Sequence, residues 1–253
     1  KKLYVGTDLD VDGTANLDVV DIDGAVDMAS TLGVSGVTAL TNKLTVLASD
    51  GTVDNEFVVD IRNDEQTDDR SFGLRLAAGS TTTDRVLDVQ NHAMDKVYLR
   101  VDGAGHVTMP NQSAFLVRNS SDQSNVALNT LVTVVFDTEV FDQNADFASN
   151  TFTAPVTGRY LFTYSVNFAQ VDADHTIMAL TLSTSNNAFT NNPIADPSAL
   201  TGDPAELSLH GAVICDMDAS DTALVKVSFE GGSAQTDIKA NGVRTNFGGV
   251  LLC

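Results

Sequence analysis

Residues 152–168 read Phe-Thr-Ala-Pro-Val-Thr-Gly-Arg-Tyr-Leu-Phe-Thr-Tyr-Ser-Val-Asn-Phe, the most informative pattern in the chain. It predicts a strand, a tight turn in which Gly158 supplies an unrestricted φ, and a second strand. Because side chains alternate between the two faces of a strand, one face carries an aromatic row: Tyr160, Phe162, Tyr164 and Phe168. The chain has 12 Phe, four Tyr and no Trp. We therefore expect this row to form the core of a β-sandwich, either within one chain or continuing into a contact between chains.

The same alternation extends along the chain. Val, Thr, Leu, Ile and Phe alternate with Asp, Asn, Ser and Gly, and no stretch sustains a period of 3.6 residues over a dozen positions. The sequence therefore predicts an all-β protein.

Composition excludes several classes of protein. The chain has 34 acidic and 14 basic residues and a net charge of −20, which would repel nucleic acid and anionic lipid. No apolar run approaches the roughly 20 residues of a membrane span. Cys215 and Cys253 are too few for a disulfide scaffold and offer no CxxC metal pair. Neither a nucleic-acid partner nor membrane insertion is expected.

Short, loosely repeated units organise the amino-terminal part. They share two apolar residues spaced by two and then a turn glycine: Leu9–Gly13, Val20–Gly24, Leu32–Gly36 and Leu99–Gly103. Each unit is too small to bury its apolar row alone, so the same segments of two further chains are expected to cover it. We predict a repetitive β shaft over residues 1–50 and a small β module over residues 51–109. A proline between two strand patterns, at Pro110–Ser113, marks the start of a head over residues 110–253.

The small module has strand candidates at Glu56–Arg62, Phe72–Leu76, Arg85–Val89 and Val97–Val101. It ends in Val-Asp-Gly-Ala-Gly-His-Val at residues 101–107. This pattern resembles the β modules of bacteriophage tail-fibre proteins, in which such a turn closes a unit before the head. The resemblance covers about 100 residues.

The head carries a more specific pattern. Its landmarks are Phe136, Asp137, Asp142, Phe147, Phe152–Pro155, Gly158, Tyr160, Phe162 and Tyr164, with an opening strand at Ala114–Arg118, a strand-turn-strand around Asp218–Asp221 and a closing strand at Asn246–Leu252. Nearly all of residues 113–253 thereby resemble the globular head of the first complement component, a family that shares its jelly roll with tumour necrosis factor. The resemblance implies a ten-stranded, homotrimeric sandwich whose usual work is binding. The interval from Phe147 to Phe152 is about two residues shorter than the family pattern, so the shape of that turn stays open.

Candidate sites for chemistry are few. No nucleophile elbow, phosphate-binding glycine loop or zinc-binding histidine pair is present, so we expect no catalytic residue, no enzyme activity and no cofactor. Calcium is the one metal that the sequence suggests. Residues 8–13 imitate the start of a calcium loop, but the twelfth position is Val19 in place of the required Glu. Four loop acids of the head are the remaining calcium candidates: Asp172, Asp174, Asp218 and Asp221. Ordinary turn chemistry is the competing interpretation.

These observations favour a virion structural protein, a trimeric tail fibre or capsid fibre. Its distal head would bind a host-surface saccharide or outer-membrane protein, and its upstream part would join virion anchor proteins. A secreted or cell-surface adhesin with a complement-like head is the alternative, with an extracellular location. A decoration protein without a receptor is a third interpretation.

Overall fold

The structure of the chain is a computed structural model, and it describes residues 34–48, 57–67, 72–189, 194–240 and 242–253. The chain divides between residues 74 and 75 into two units, Lys1–Leu74 and Arg75–Cys253.

Residues 34–48, 57–67 and 72–74 of the first unit contain no strand or helix. The strands predicted at Glu56–Arg62 and Phe72–Leu76 are therefore wrong for residues 57–62 and 72–76, which have no neighbouring strand to complete a hydrogen-bonded ladder within one chain. Their apolar side chains are exposed, Phe57 to 91%. The repeats at Leu9–Gly13 and Val20–Gly24 lie outside the described residues.

A three-stranded antiparallel sheet opens the second unit. Its strands are β1 (Arg85–Gln90), β2 (Val97–Asp102) and β3 (Val107–Thr108), in the order β1-β2-β3. The turn predicted at residues 101–107 joins β2 to β3: Val101 pairs with Val107, Gly105 has a φ of +90°, and the Asp102 carboxylate accepts the amides of Ala104 and His106.

The head is a sandwich of two antiparallel sheets with almost no helix. The one helical segment among the described residues is a 3₁₀ turn at Pro197–Ala199. The strands of the head are β4 (Ala114–Arg118), β5 (Val132–Thr133), β6 (Thr138–Asp142), β7 (Phe147–Ala148), β8 (Thr151–Thr153), β9 (Gly158–Ala169), β10 (His175–Thr184), β11 (Ala188–Phe189), β12 (Ile194–Ala195), β13 (Glu206–Met217), β14 (Thr222–Gly231), β15 (Asp237–Ile238) and β16 (Asn246–Leu251).

One sheet has the order β13-β9-β16-β4-β6, with β15 also on β9. The other has the order β11-β10-β14-β8-β7, with β12 on β10 and β5 on β14. Non-consecutive neighbours such as β4 beside β16 give the jelly-roll crossing expected from the sequence. The resemblance implied ten strands for the head. The described residues of the head form thirteen, because short pieces such as β5, β11 and β12 each form a separate ladder.

Strand register defines two ends of the sandwich. Gly158 of β9 pairs with Met217, and Leu251 pairs with Tyr160, at the end where the chain enters at Ala114. We call this the entry end. Ala169 pairs with Glu206 and His175 pairs with Gly231 at the opposite end, which we call the distal end.

Gly158 corrects one expectation. The φ angle of Gly158 is not positive, so the turn does not need the conformational freedom of glycine. Glycine is required for space instead: a Cβ at residue 158 would stand 2.6 Å from the Cys253 carbonyl oxygen and 2.7 Å from Cδ1 of Leu251. The short interval after Phe147 is a tight hairpin in which Ser149 and Asn150 have φ values of 51° and 66°, as a two-residue type I′ turn requires.

Candidate functional site

The aromatic row lies inside the sandwich. Tyr160, Phe162, Tyr164 and Phe168 are all buried on the inner face of β9. Phe162 and Phe152 rings meet edge to face at 5.4 Å, and the Tyr160 hydroxyl donates to the Val156 carbonyl at 2.7 Å. Burial raises the pKa of both tyrosines. The row belongs to the core of one chain, and other side chains of β9 face outward.

Asp172 and Asp174 lie at the distal end, in the turn between β9 and β10. The Asp172 carboxylate accepts the amides of Ala234, Asp174 and Ser233 at 3.0, 2.9 and 3.1 Å. These bonds hold the pKa of Asp172 below its ordinary value, the one from Ala234 contributing most. The carboxylate thus ties the β9–β10 turn to the loop after β14. That is structural turn chemistry.

Asp218 and Asp221 lie at the entry end, in the hairpin between β13 and β14. The Asp221 carboxylate accepts from the Ser185 hydroxyl at 2.7 Å, the Asn186 amide at 2.5 Å and the Asp218 backbone at 2.8 Å. The Ser185 bond is the largest cause that lowers the pKa of Asp221. This carboxylate holds the turn after β10 against the hairpin.

The calcium candidates are therefore not brought together. The two pairs are separated by the length of β9, about 35 Å for a strand of 12 residues. Within the part of the chain that the structure describes, no group of three or more Asp, Glu, His or Cys side chains is arranged to hold a metal ion.

An apolar band crosses the outer face of the β13-β9-β16-β4-β6 sheet. Register places Ile214 beside Leu161, Leu161 beside Val250, and Val250 beside Ala114. A second row runs from Thr163 through Gly248 and Leu116 to Phe141. Ile214 and Phe141, near the two edges, are 57% and 49% exposed. Single exposed apolar residues are ordinary, but these two adjoining rows together span five strands, and apolar patches of such extent are typical of interaction sites. We call this surface the apolar band.

Loops at the distal end form the other candidate surface. They are residues 119–131, 170–174, 196–205 and 232–240 with 242–245. Polar contacts pin them: Lys239 pairs with Asp122 at 2.6 Å, Arg244 with Glu206 at 2.9 Å, and Asp203 accepts the Ala173 amide at 2.8 Å. Val243 is 85% exposed among them. Loops held rigidly on a sandwich are suited to recognition.

The sequence patterns predicted neither the apolar band nor the exposed position of Val243. Alternation places Leu161 and Ile214 opposite the core residues, but it does not show that their strands are neighbours. Apolar residues at outward positions of β9 and β13 are the sequence signal from which the band could have been predicted.

The two-sheet jelly roll, with an apolar outer face and pinned loops at one end, is the architecture of a globular head domain. The family model described as "C1q domain" matches residues 114–252. The chain belongs to the C1q domain family.

Similar solved structures include the globular domain of zebrafish complement 1qA protein, at 17% identity and a TM-score of 0.41, covering 56% of this chain and 98% of that one. The crystal structure of murine APRIL at pH 8.0 is 18% identical with a TM-score of 0.42, covering 56% of this chain and all of that one. A search of curated proteins found no match. Among the described residues, no helix is long and apolar enough to cross a membrane.

Proposed function

We propose that the chain is a homotrimeric, non-catalytic recognition protein, the distal part of a virion tail fibre or capsid fibre. C1q and tumour necrosis factor-like domains typically form trimers and mediate recognition. The apolar band carries the proposal: two further copies of the head would cover it, as an exposed apolar face of this extent requires.

The amino-terminal part supports a fibre. In the first unit Phe57, Val59 and Ile61 recur at every second position, and all three are exposed in the single chain. Two further copies of this segment, wrapped about a threefold axis, would cover these side chains while neighbouring acids face water. The upstream part of such a fibre would be held by virion anchor proteins.

Recognition is assigned to the distal loops. The carboxylates of Asp172 and Asp221 are occupied in holding turns, which supports a binding role without catalysis. The partner would be a host-surface saccharide or an outer-membrane protein. The same head would suit a secreted or cell-surface adhesin equally well. The location of the protein, on virions or on cells, therefore distinguishes the fibre from the adhesin.

Sedimentation equilibrium tests the assembly. The chain is expected to sediment with a mass three times that of the 26.7 kDa monomer. Phe141→Asp or Ile214→Asp, which place a charge in the apolar band, should dissociate it. Ser228→Asp, on the outer face of the other sheet, is the matched control and should remain trimeric. A monomeric wild-type chain would overturn the proposal.

Binding of fluorescently labelled protein to host cells tests the distal surface. Val243→Asp should abolish binding, whereas Val156→Asp, at the exposed turn of the entry end, should not. The reverse result would place recognition at the entry end. Cryo-electron microscopy of particles with labelled antibody tests the location: a threefold appendage supports the virion assignment, and protein found only free or on cell surfaces overturns it in favour of the adhesin.

A further inference from the structure

One face of the small sheet β1-β2-β3 carries a cluster of aliphatic side chains. Antiparallel partners share a face, and register pairs Leu87 with Val101, Val89 with Leu99, and Val101 with Val107. These five aliphatic side chains form what we call the module face.

The opposite face of the same sheet carries its charged groups. Arg100 donates to both carboxylate oxygens of Asp88 at 2.7 and 2.8 Å, and it pairs in register with Thr108. This bidentate pair raises the pKa of Arg100 and lowers that of Asp88. The charged groups of the sheet are thus satisfied on one side, and the module face carries no charge.

No residue of these three strands is buried in the single chain as the structure describes it. Val89 and Val107 of the module face are 42% and 62% exposed. A small sheet needs a packed apolar face for independent stability. The module face therefore requires a partner.

The sheet is tied to the entry end of the head by side-chain amides. Gln143, in the β6–β7 turn, donates through Nε2 to the carbonyls of Met109, Pro110 and Gln112 at 3.1, 2.8 and 2.8 Å. Asn144 donates to the Asn111 carbonyl, and Asn111 donates to the Val97 carbonyl of β2 at 2.8 Å. The sheet must then follow whatever symmetry the heads adopt.

We propose that the module face packs against the module faces of the other two chains around the threefold axis of the heads. This inference rests on the proposed trimer. Identical faces meet in a symmetric assembly, and meeting faces must not repel. In a chain of net charge −20, a face of five uncharged side chains meets this condition.

Cross-linking of the full chain tests the inference. Cys253→Ser removes the exposed thiol, and Cys215 is buried. Val101→Cys then places one thiol on the module face of the central strand. Tyr98→Cys, on the same strand but the opposite face, is the matched control. The probe is a bismaleimide with a reach of about 10 Å, the spacing of packed sheets. The Val101→Cys chain has one reactive thiol, so it is expected to give covalent dimers, at least tenfold more abundant than those of the Tyr98→Cys chain.

The outcomes separate the two proposals. A chain that sediments as a trimer without cross-linking at residue 101 overturns the module-face contact and leaves the trimer standing. In that case, a thiol at residue 101 that does not react with maleimide shows that another segment or protein covers the module face. A thiol that does react shows that the module face is uncovered. A chain that sediments as a monomer overturns the proposed trimer, and the module-face contact with it. Should Val101→Cys itself impair folding, Leu99→Cys repeats the test on the same strand.

Discussion

Gly211 lies directly against the ring of Tyr164: a Cβ at residue 211 would stand 2.6 Å from Cζ and from the hydroxyl oxygen. Gly211 and Tyr164 are paired on β13 and β9, so neither strand can move away without breaking the ladder. Gly211→Ala is therefore expected to destabilise the fold by about 1–3 kcal/mol, the usual cost of overpacking a core. Urea unfolding at fixed protein concentration measures the change.

Gly202→Ala is the control for this substitution. A Cβ at residue 202 meets nothing within 4 Å, so unfolding should change little. Equal stability of the Gly211→Ala and wild-type chains would show that the Tyr164 ring lies elsewhere.

Asp172 predicts a dependence of stability on pH. Its folded pKa is lowered, so its charge stabilises the fold above the unfolded value near 3.8, and that contribution is lost as pH falls through the folded pKa. Asp172→Asn should lower the melting temperature at pH 7. The difference from wild type should shrink as pH falls from about 3.8 through the lowered folded pKa, below which the wild-type carboxyl is also neutral.

Asp174→Asn controls for charge at the same turn. Asp174 is exposed, and its carboxylate accepts no hydrogen bond from the residues that the structure describes. A pH-independent difference for Asp172→Asn would contradict the role of the charge.

The two thiols should react differently. Cys215 is buried on β13, and burial raises the pKa of its thiol to about 11, whereas Cys253 is exposed. A thiol reagent at pH 8 should therefore titrate one thiol per native chain and two in denaturant. Cys253→Ser should reduce the native count to zero. Rapid native labelling of both thiols would contradict the burial of Cys215.

Gln143 should determine how firmly the small sheet is held. Gln143→Glu replaces the Nε2 donor by a carboxylate that faces three carbonyl oxygens. Faster hydrogen exchange and proteolysis across residues 109–113 are expected, with exchange in β9 unchanged. Glu139→Gln, an exposed change on β6, is the control. Unaltered protection at residues 109–113 in the Gln143→Glu chain would show that other contacts hold the junction.

Calcium is expected to leave the melting temperature unchanged relative to equal magnesium. The carboxylates of Asp172 and Asp221 would have to release amide and hydroxyl donors to bind it. A rise that a chelator reverses would show a calcium site and contradict this prediction.

Local sequence patterns predicted much of the fold. The strands at Ala114–Arg118 and Asn246–Leu252 and the hairpin around Asp218 follow from alternation and turn residues, and the structure confirms them within a residue. The strands predicted at residues 57–62 and 72–76 were wrong for the single chain, because alternation measures a tendency to extend and does not supply a neighbouring strand.

Local sequence is enough to show which residues face inward, since the period-two pattern of β9 requires Tyr160, Phe162, Tyr164 and Phe168 to share a face. Which strands are neighbours is seen only in the folded chain. That arrangement creates the apolar band from five separate strands, separates Asp172 from Asp221 by the length of the sandwich, and requires glycine at residue 211. Register and sheet order depend on long-range hydrogen bonds and packing, which no local pattern of residues contains.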